Sequence, residues 1–213
     1  FSCKLSALKY ATTYYARSYA VNEVGVAYGE EVSFKTLAVL PTLSTYSVSD
    51  ITSSSATISA SVLSDGGAVV IERGVVYSTS SNPTINDTKF IKDGSTGWFS
   101  CALTSLAYAT TYYVRSYAVN EVGVAYGAEV TFTTLAILPT VGASSVSDIT
   151  SSSATISSSV VSDGGATVTE RGVVYSTSSN PTISNSKVQS GSGAGGFSCK
   201  LSALKYATTY YAR

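Results

Sequence analysis

Hydrophobic and polar residues alternate along the segment 55–63. Ala56, Ile58, Ala60 and Val62 are separated by serine or threonine at each intervening position. Side chains of a β-strand point to opposite faces in turn, so a period of two is typical of a strand with one buried face. The segment therefore predicts a strand whose apolar side packs into a core.

The same kind of pattern continues on both sides of this segment, interrupted by turn residues. Asp-Gly and Gly-Gly within 64–67 and Asn-Pro at 82–83 are typical turn dipeptides. Besides 55–63, we expect strands after Pro41 and at Ala68–Ser78, Lys89–Ile91, Trp98–Leu106, Thr110–Asn120 and Val124–Leu135. The last two are expected to form a hairpin through 121–123. Seven strands at this spacing predict an all-β, immunoglobulin-like sandwich with Greek-key connections.

One phrase occurs three times in the sequence. FSCKLSALKYATTYYAR begins at Phe1, FSCALTSLAYATTYYVR at Phe99, and the first form returns at Phe197, so both offsets are 98 residues. That period is too long for a solenoid repeat of about 20–50 residues. It matches the size of a self-contained sandwich of about 100 residues. We therefore expect tandem sandwich domains, each with its own core.

The period predicts one complete repeat and two partial ones. We expect the last strands of a repeat in 1–37, a complete repeat in 38–135, and in 136–213 a repeat that lacks its last strands. An incomplete sandwich exposes strand edges and apolar surface. Three possibilities stay open for the missing strands: the parent chain supplies them, a neighbouring copy supplies them, or nothing does.

A family resemblance lies in the stretch 106–114, which reads LxYxTxYxV. It resembles the LxPxTxYxV pattern at the penultimate strand of fibronectin type III domains, with Tyr108 in the place of the usual proline. The resemblance implies that Tyr112 is a tyrosine-corner residue, whose hydroxyl ties its strand to the preceding loop. Tyr14 and Tyr210 occupy the matching positions.

A longer pattern extends the resemblance over essentially the whole chain. SDGGAxVxERGVVYSTSSNPT is followed by LxxLxxxTTYYVRSYAVNxVGxAYGxEVxFTT. Together they resemble the fibronectin-III-like repeats of bacterial surface and secreted proteins. The resemblance implies extracellular display at a bacterial cell surface. It brings no catalytic residue, because the fold carries no inherent chemistry.

Composition narrows the possible functions. The chain has 13 basic and 13 acidic residues, a net charge of +0, and only 12% charged positions. Such a chain has no electrostatic footprint for nucleic acid or a membrane surface, and no apolar span suits membrane insertion. It has no histidine to activate its many serines, and no glycine-rich phosphate loop. We therefore expect neither an enzyme nor a cofactor.

Two tyrosines and an arginine alternate in the strand 110–120. If Tyr112 points inward, then Tyr113, Arg115 and Tyr117 share the opposite face and form an exposed stripe. The matching stripe of the first partial repeat is made by Tyr15, Arg17 and Tyr19. Such a stripe either stabilises a solvent-facing sheet or contacts a sugar or protein, since tyrosine and arginine are enriched at interfaces.

Each repeat has one cysteine, at Cys3, Cys101 and Cys199. Alternation places Cys101 on the same face as Phe99 and Leu103, which predicts a buried thiol. A bridge between chains is the alternative, because one cysteine per repeat permits no disulfide within a repeat.

Two further motifs predict structural roles. Glu72 and Arg73 are adjacent in a strand, so they point to opposite faces and each should meet a charged or aromatic residue on a neighbouring strand. The acidic turns at 65–67 and 93–95 lack the spaced ligands of a calcium loop, so no metal site is expected.

These observations support three hypotheses for function. The first is a structural array that forms an extracellular fibre, stalk or adhesin, with neighbouring copies or repeats as partners and the apolar linker Leu37–Pro41 docked between repeats. The second is a module of a larger secreted protein that binds a glycan or a host surface protein. The third is a filament subunit completed by strand exchange between chains.

Overall fold

The computed structural model describes residues 2–213; Phe1, where the first copy of the repeated phrase begins, lies outside them. The described residues form β-strands and turns and contain no helix. They fall into two compact units, unit 1 (residues 2–106 and 110–134) and unit 2 (residues 107–109 and 135–213). The strands are β1 (Thr13–Ala16), β2 (Tyr19–Asn22), β3 (Gly25–Tyr28), β4 (Val32–Lys35), β5 (Thr42–Ser49), β6 (Ala56–Ser64), β7 (Glu72–Ser78), β8 (Thr88–Ile91), β9 (Gly97–Leu103), β10 (Thr111–Asn120), β11 (Gly123–Tyr126), β12 (Val130–Thr133), β13 (Thr140–Val141), β14 (Ser145–Ser147), β15 (Ala154–Ser162), β16 (Gly172–Ser176), β17 (Ser186–Gln189), β18 (Gly195–Leu201) and β19 (Tyr211–Ala212).

Unit 1 contains a sandwich of two antiparallel sheets. One sheet has the order β5-β6-β9, and the other has the order β8-β7-β10 with both β11 and β12 paired to β10. Because β11 and β12 follow each other along the same edge of β10, they act as one interrupted strand, and the sandwich has seven strands. This arrangement of two packed antiparallel sheets is an immunoglobulin-like β-sandwich, as the sequence predicts.

The core of the sandwich comes from the alternating apolar positions. Ala56, Ile58, Ala60 and Val62 of β6 are at most 2% exposed. The neighbouring strand β9 and the strands of the facing sheet add these buried apolar side chains to the same cluster: Phe99, Cys101, Leu103, Val75, Val114, Ala118 and Phe132. Burial of each of the larger apolar side chains contributes about 1.5–3 kcal/mol to the stability of the fold. The period of two therefore places one continuous apolar layer between the sheets.

A buried polar contact links the two sheets. The hydroxyl of Thr45 on β5 donates to Ser116 Oγ on β10 over 3.0 Å, and accepts the Ser116 backbone N–H over 2.9 Å. Both residues are buried. Gly127 makes room for the pair, since a Cβ at this position would lie 2.2 Å from Ser116 Oγ.

Residues 2–37 form two small sheets within unit 1. Strand β1 pairs with β4, and β2 pairs with β3 through a tight hairpin. The four strands begin 98 residues before Thr111, Tyr117, Gly123 and Val130, which lie in the last strands of the sandwich. Their side chains are largely exposed.

Unit 2 repeats the strand pattern of the sandwich. Its strands β15 and β18 begin and end 98 residues after β6 and β9. In one sheet, β15 pairs with β18 along one edge and with β13 and β14 along the other edge. The other sheet has the order β17-β16-β19. The core is smaller than in unit 1: its buried members are Ile156, Val173, Cys199 and Leu201.

Two strands differ from the sequence prediction. The strand expected at Ala68–Ser78 begins at Glu72, because only Ile71 of the four preceding residues makes a backbone bond toward the sheet, to Val119. The strand expected at Val124–Leu135 is divided into β11 and β12, because the regular pairing with β10 is interrupted at 127–129, where only the Gly127 N–H still donates to the Ser116 carbonyl.

Candidate binding surface and repeat junction

The predicted stripe Tyr113, Arg115 and Tyr117 lies on the outward face of the β8-β7-β10 sheet, but it is not an exposed surface. Tyr117 is 0% exposed, which corrects the expectation. Arg115 donates from Nε to the Gly127 carbonyl over 3.2 Å, and its guanidinium lies 4.6 Å from the centre of the Tyr126 ring. Tyr113 and Arg115 are half-buried, so the stripe is only partly open, and binding at it stays a prediction.

Tyr117 belongs to a hydrogen-bonded network. Its hydroxyl donates to Glu72 Oε1 over 2.7 Å, and Lys89 Nζ donates to the same oxygen over 2.9 Å. The bond from Lys89, followed by the bond from Tyr117, lowers the pKa of Glu72. Burial, together with the bond to Glu72, raises the pKa of Tyr117 above its usual range. Gly74 stands opposite Tyr117 in the ladder, where a Cβ would lie 1.9 Å from the Phe90 carbonyl oxygen of β8.

The matching stripe in residues 2–37 is open. Tyr15 is 69% exposed and Tyr19 is 68% exposed. Arg17 repeats the contacts of Arg115: its Nε donates to the Gly29 carbonyl over 3.0 Å, and its guanidinium lies 4.9 Å from the centre of the Tyr28 ring. Binding at these three residues stays a prediction.

The tyrosine-corner bond is formed by Tyr14 and Tyr210. The Tyr14 hydroxyl accepts the backbone N–H of Lys9 over 2.9 Å, and the Tyr210 hydroxyl accepts that of Lys205 over 3.1 Å. In the sandwich, the ring of Tyr112 stacks on Phe132 with centroids 5.7 Å apart and meets Tyr77 at 6.2 Å. These tyrosines fasten the start of the penultimate strand.

Arg73 caps a loop from inside the sandwich. It is 7% exposed. Its guanidinium lies 4.8 Å from the centre of the Phe99 ring and donates to the backbone carbonyls of Asp93, Ser95, Thr96 and Gly97 at 2.9–3.3 Å. Arg171 makes the same kind of contacts in unit 2, with Ser190, Gly193, Ala194 and Gly195. Glu72 and Arg73 are adjacent in β7 and therefore point to opposite faces of the sheet, where each binds its own partners.

The three cysteines differ in exposure. Cys101 and Cys199 are buried, whereas Cys3 is exposed, and all three are free thiols. Burial raises the pKa of the Cys101 thiol to about 11. Since the thiolate is the reactive form, about one part in a thousand of Cys101 is reactive at pH 8 even before access is considered.

We expect one thiol of the folded chain to react with Ellman's reagent at pH 8, and the other two to react only in denaturant. Cys3→Ser should remove the fast phase and leave the slow one unchanged. Two equivalents of fast thiol in the native protein would contradict the buried position of Cys101 or Cys199.

A junction inside unit 1 joins residues 2–37 to the sandwich. The Tyr10 hydroxyl lies 2.9 Å from Ser64 Oγ, and the backbone N–H of Val39 donates to the Gly66 carbonyl over 2.9 Å. Asn120 Nδ2 donates to the Val39 carbonyl over 2.8 Å. Gly67, at φ +82°, lies so close to residue 11 that a Cβ would be 2.1 Å from that of Ala11. The linker Leu37–Pro41 is therefore docked against the glycine turn 64–67.

Unit 2 contains the same contacts 98 residues later. The Tyr108 hydroxyl lies 3.5 Å from Ser162 Oγ, and the backbone N–H of Ile137 donates to the Gly164 carbonyl over 2.9 Å. A Cβ on Gly165 would be 2.1 Å from that of Ala109. The sequence predicts that the linker docks, but it does not identify the residues that the linker contacts. Those residues come together only through the geometry of the glycine turns.

Residues 2–213 contain no cluster of three or more histidine, cysteine, aspartate or glutamate side chains with the geometry to hold a metal ion. No helix among them is long and apolar enough to span a membrane.

Comparisons with known proteins find the fold alone. No protein-family model and no curated protein matches the chain. The chain is similar to the crystal structure of the chicken CNTN1 FN1-FN3 domains at 18% identity, with 96% of this chain and 69% of that chain covered and a TM-score of 0.34. It is also similar to the solution structure of a human fibronectin type III domain from the KIAA0970 protein, at 16% identity, with 44% and 72% coverage and a TM-score of 0.32.

The class of protein follows from the strand order itself. The three-stranded sheet β5-β6-β9 packs against a second sheet. In that second sheet the penultimate strand β10 lies between β7 on one side and β11 and β12 on the other, and Tyr112 stands at the start of β10. The protein is an all-β chain built from fibronectin type III-like β-sandwiches.

Proposed function

We propose that the chain is part of an extracellular structural array, a fibre, stalk or adhesin of a bacterial cell surface built from tandem sandwiches. Its partners are neighbouring repeats of the same protein. The observation that carries the proposal is the docked junction, in which Tyr10 meets Ser64 and the linker residue Val39 bonds to Gly66. The recurrence of the same contacts in unit 2 supports a junction built for repetition.

A docked linker makes such an array stiff. Glycine- and serine-rich linkers let domains swing freely, whereas an apolar linker bound on several sides restricts bending. Here Val39 is held through both its backbone N–H and its carbonyl, by Gly66 and Asn120. Leu40 lies beside the hairpin glycine Gly123, where a built Cβ would be 3.2 Å from one of the Leu40 methyl carbons. The array therefore acts as a stiff spacer.

A spin-label distance measurement tests this stiffness. Labels at Tyr15→Cys and Asn86→Cys, in a Cys3→Ser background, report on β1 against the sandwich within unit 1. Both positions are exposed, and Cys101 and Cys199 are buried. We expect a single narrow distance distribution in the parent chain. Gly67→Val should broaden it, because the side chain requires the space of Ala11 and a backbone φ that L-residues rarely adopt.

The matched control is Gly196→Ala, at a strand glycine of unit 2 where the only heavy atom within 4 Å of a built Cβ is the Ser158 carbonyl oxygen, at 4.0 Å. It should leave the distribution narrow. A broad distribution in the parent chain would overturn the stiff-spacer function, since the linker would then swing despite its hydrogen bonds.

A further inference from the structure

Two aromatic rings stack on the outward face of the β5-β6-β9 sheet. The ring centroids of Tyr46 and Trp98 are 4.1 Å apart, with 26° between their planes. Trp98 is 67% exposed and Tyr46 is 43% exposed. The rings come from the two outer strands and meet across the middle strand β6. Ser61, which stands opposite Trp98 in the ladder, is only 3% exposed although it points outward, so the aromatic pair covers it.

The rest of this face is neutral and rich in hydroxyl groups. The residues that alternate with the core positions on β6 and β9 include Thr57, Ser59, Ser61 and Ser100. None of the residues in β5, β6 or β9 carries a charge. A surface of this kind offers no attraction for phosphate groups, nucleic acid or acidic peptides. It combines a flat apolar platform with several hydrogen-bonding groups beside it.

We propose that this face binds a neutral glycan, with the Trp98 and Tyr46 rings as the platform. A pyranose has one face of C–H groups and a rim of hydroxyls, which matches an exposed indole flanked by serine and threonine. Covering the indole removes apolar area from water, and the hydroxyls fix orientation. A protein partner fits less well: aromatic residues bury about 150–250 Å² each, and two of them fall short of the roughly 800 Å² per side of a stable protein interface.

Unit 2 lacks the platform. Its strands β15 and β18 occupy the same positions as β6 and β9, but Ser144 and Gly196 stand 98 residues after Tyr46 and Trp98. Lys200 also adds a charge to β18. The glycan site therefore belongs to the sandwich of unit 1 alone, and it is independent of the proposed role in an array.

The chain offers a direct readout, because Trp98 is its single tryptophan. We expect titration with cellohexaose, mannohexaose or chitohexaose to change the Trp98 fluorescence and to saturate, with a Kd of about 1 mM or below for at least one of them. Trp98→Ala and Tyr46→Ala, followed by calorimetry, should weaken binding of that sugar at least about tenfold, as expected for a central aromatic contact. Trp98→Phe should retain part of the affinity.

The matched control is Tyr206→Ala, which removes another exposed aromatic side chain, in unit 2, and should leave binding unchanged. The proposal is overturned if none of the three sugars changes the fluorescence at 10 mM, or if Trp98→Ala binds as tightly as the parent. Tighter binding of an anionic heparin hexasaccharide or of a proline-rich peptide would also overturn it. So would self-association that is abolished by Trp98→Ala.

Discussion

Replacing Arg73 with methionine is expected to lower the free energy of unfolding of unit 1 by about 3 kcal/mol. The substitution keeps an apolar stem of similar length beside Phe99 but removes every donor that holds the loop 93–97. Four backbone carbonyls then lose their partner, and each unsatisfied buried polar group costs about 1–3 kcal/mol. The estimate lies well below the full sum because parts of this exposed loop can bind water.

Denaturant unfolding followed by the fluorescence of Trp98 measures this loss, since Trp98 lies in β9 directly after the capped loop. Arg73→Lys is the informative companion. A lysine keeps the charge but not the planar fork of donors, so it should recover less than half of the stability. Lys92→Met, at an exposed position, should change stability by less than about 0.5 kcal/mol. Equal stability of Arg73→Lys and the parent would show that charge alone is needed.

The sequence predicted the parts of the fold that depend on side-chain alternation. In β6 and β9 the period of two identifies both the strand and its buried face, because the facing sheet covers one side only. Alternation alone does not prove that a strand pairs. Val69 and Ile71 are exposed and Ala68 and Val70 buried, as in a strand, yet this stretch lies outside the ladder and β7 begins at Glu72.

The environment of each outward side chain could not be predicted in the same way. Alternation correctly placed Tyr117 on the outward face, but it did not show that the hydroxyl would be bound to Glu72 of β7 and the side chain buried. The stack of Tyr46 on Trp98 was missed because it depends on the irregular register of β5 between Thr45 and Ser47. A shift of one residue in a strand changes which side chains share a face.

The second large effect is expected at the centre of the core. Leu103→Ala should lower the free energy of unfolding of unit 1 by about 3–4 kcal/mol, since a leucine truncated in a closely packed interior loses its transfer energy and leaves a cavity. Leu103 is 1% exposed in the cluster that contains Ile58 and Val75. This cluster is continuous across both sheets, so little collapse can fill the space.

Two variants at related positions separate this cavity from a general effect of losing leucine. Leu63→Ala removes the same side chain from a position of β6 that is 59% exposed, and should cost less than about 1 kcal/mol. Leu201→Ala makes the matching change in the smaller core of unit 2, so the Trp98 transition of unit 1 should not move. A loss below 1 kcal/mol for Leu103→Ala would mean that the two sheets can close over the missing side chain. The closely packed layer between the sheets would then not be what holds the sandwich together.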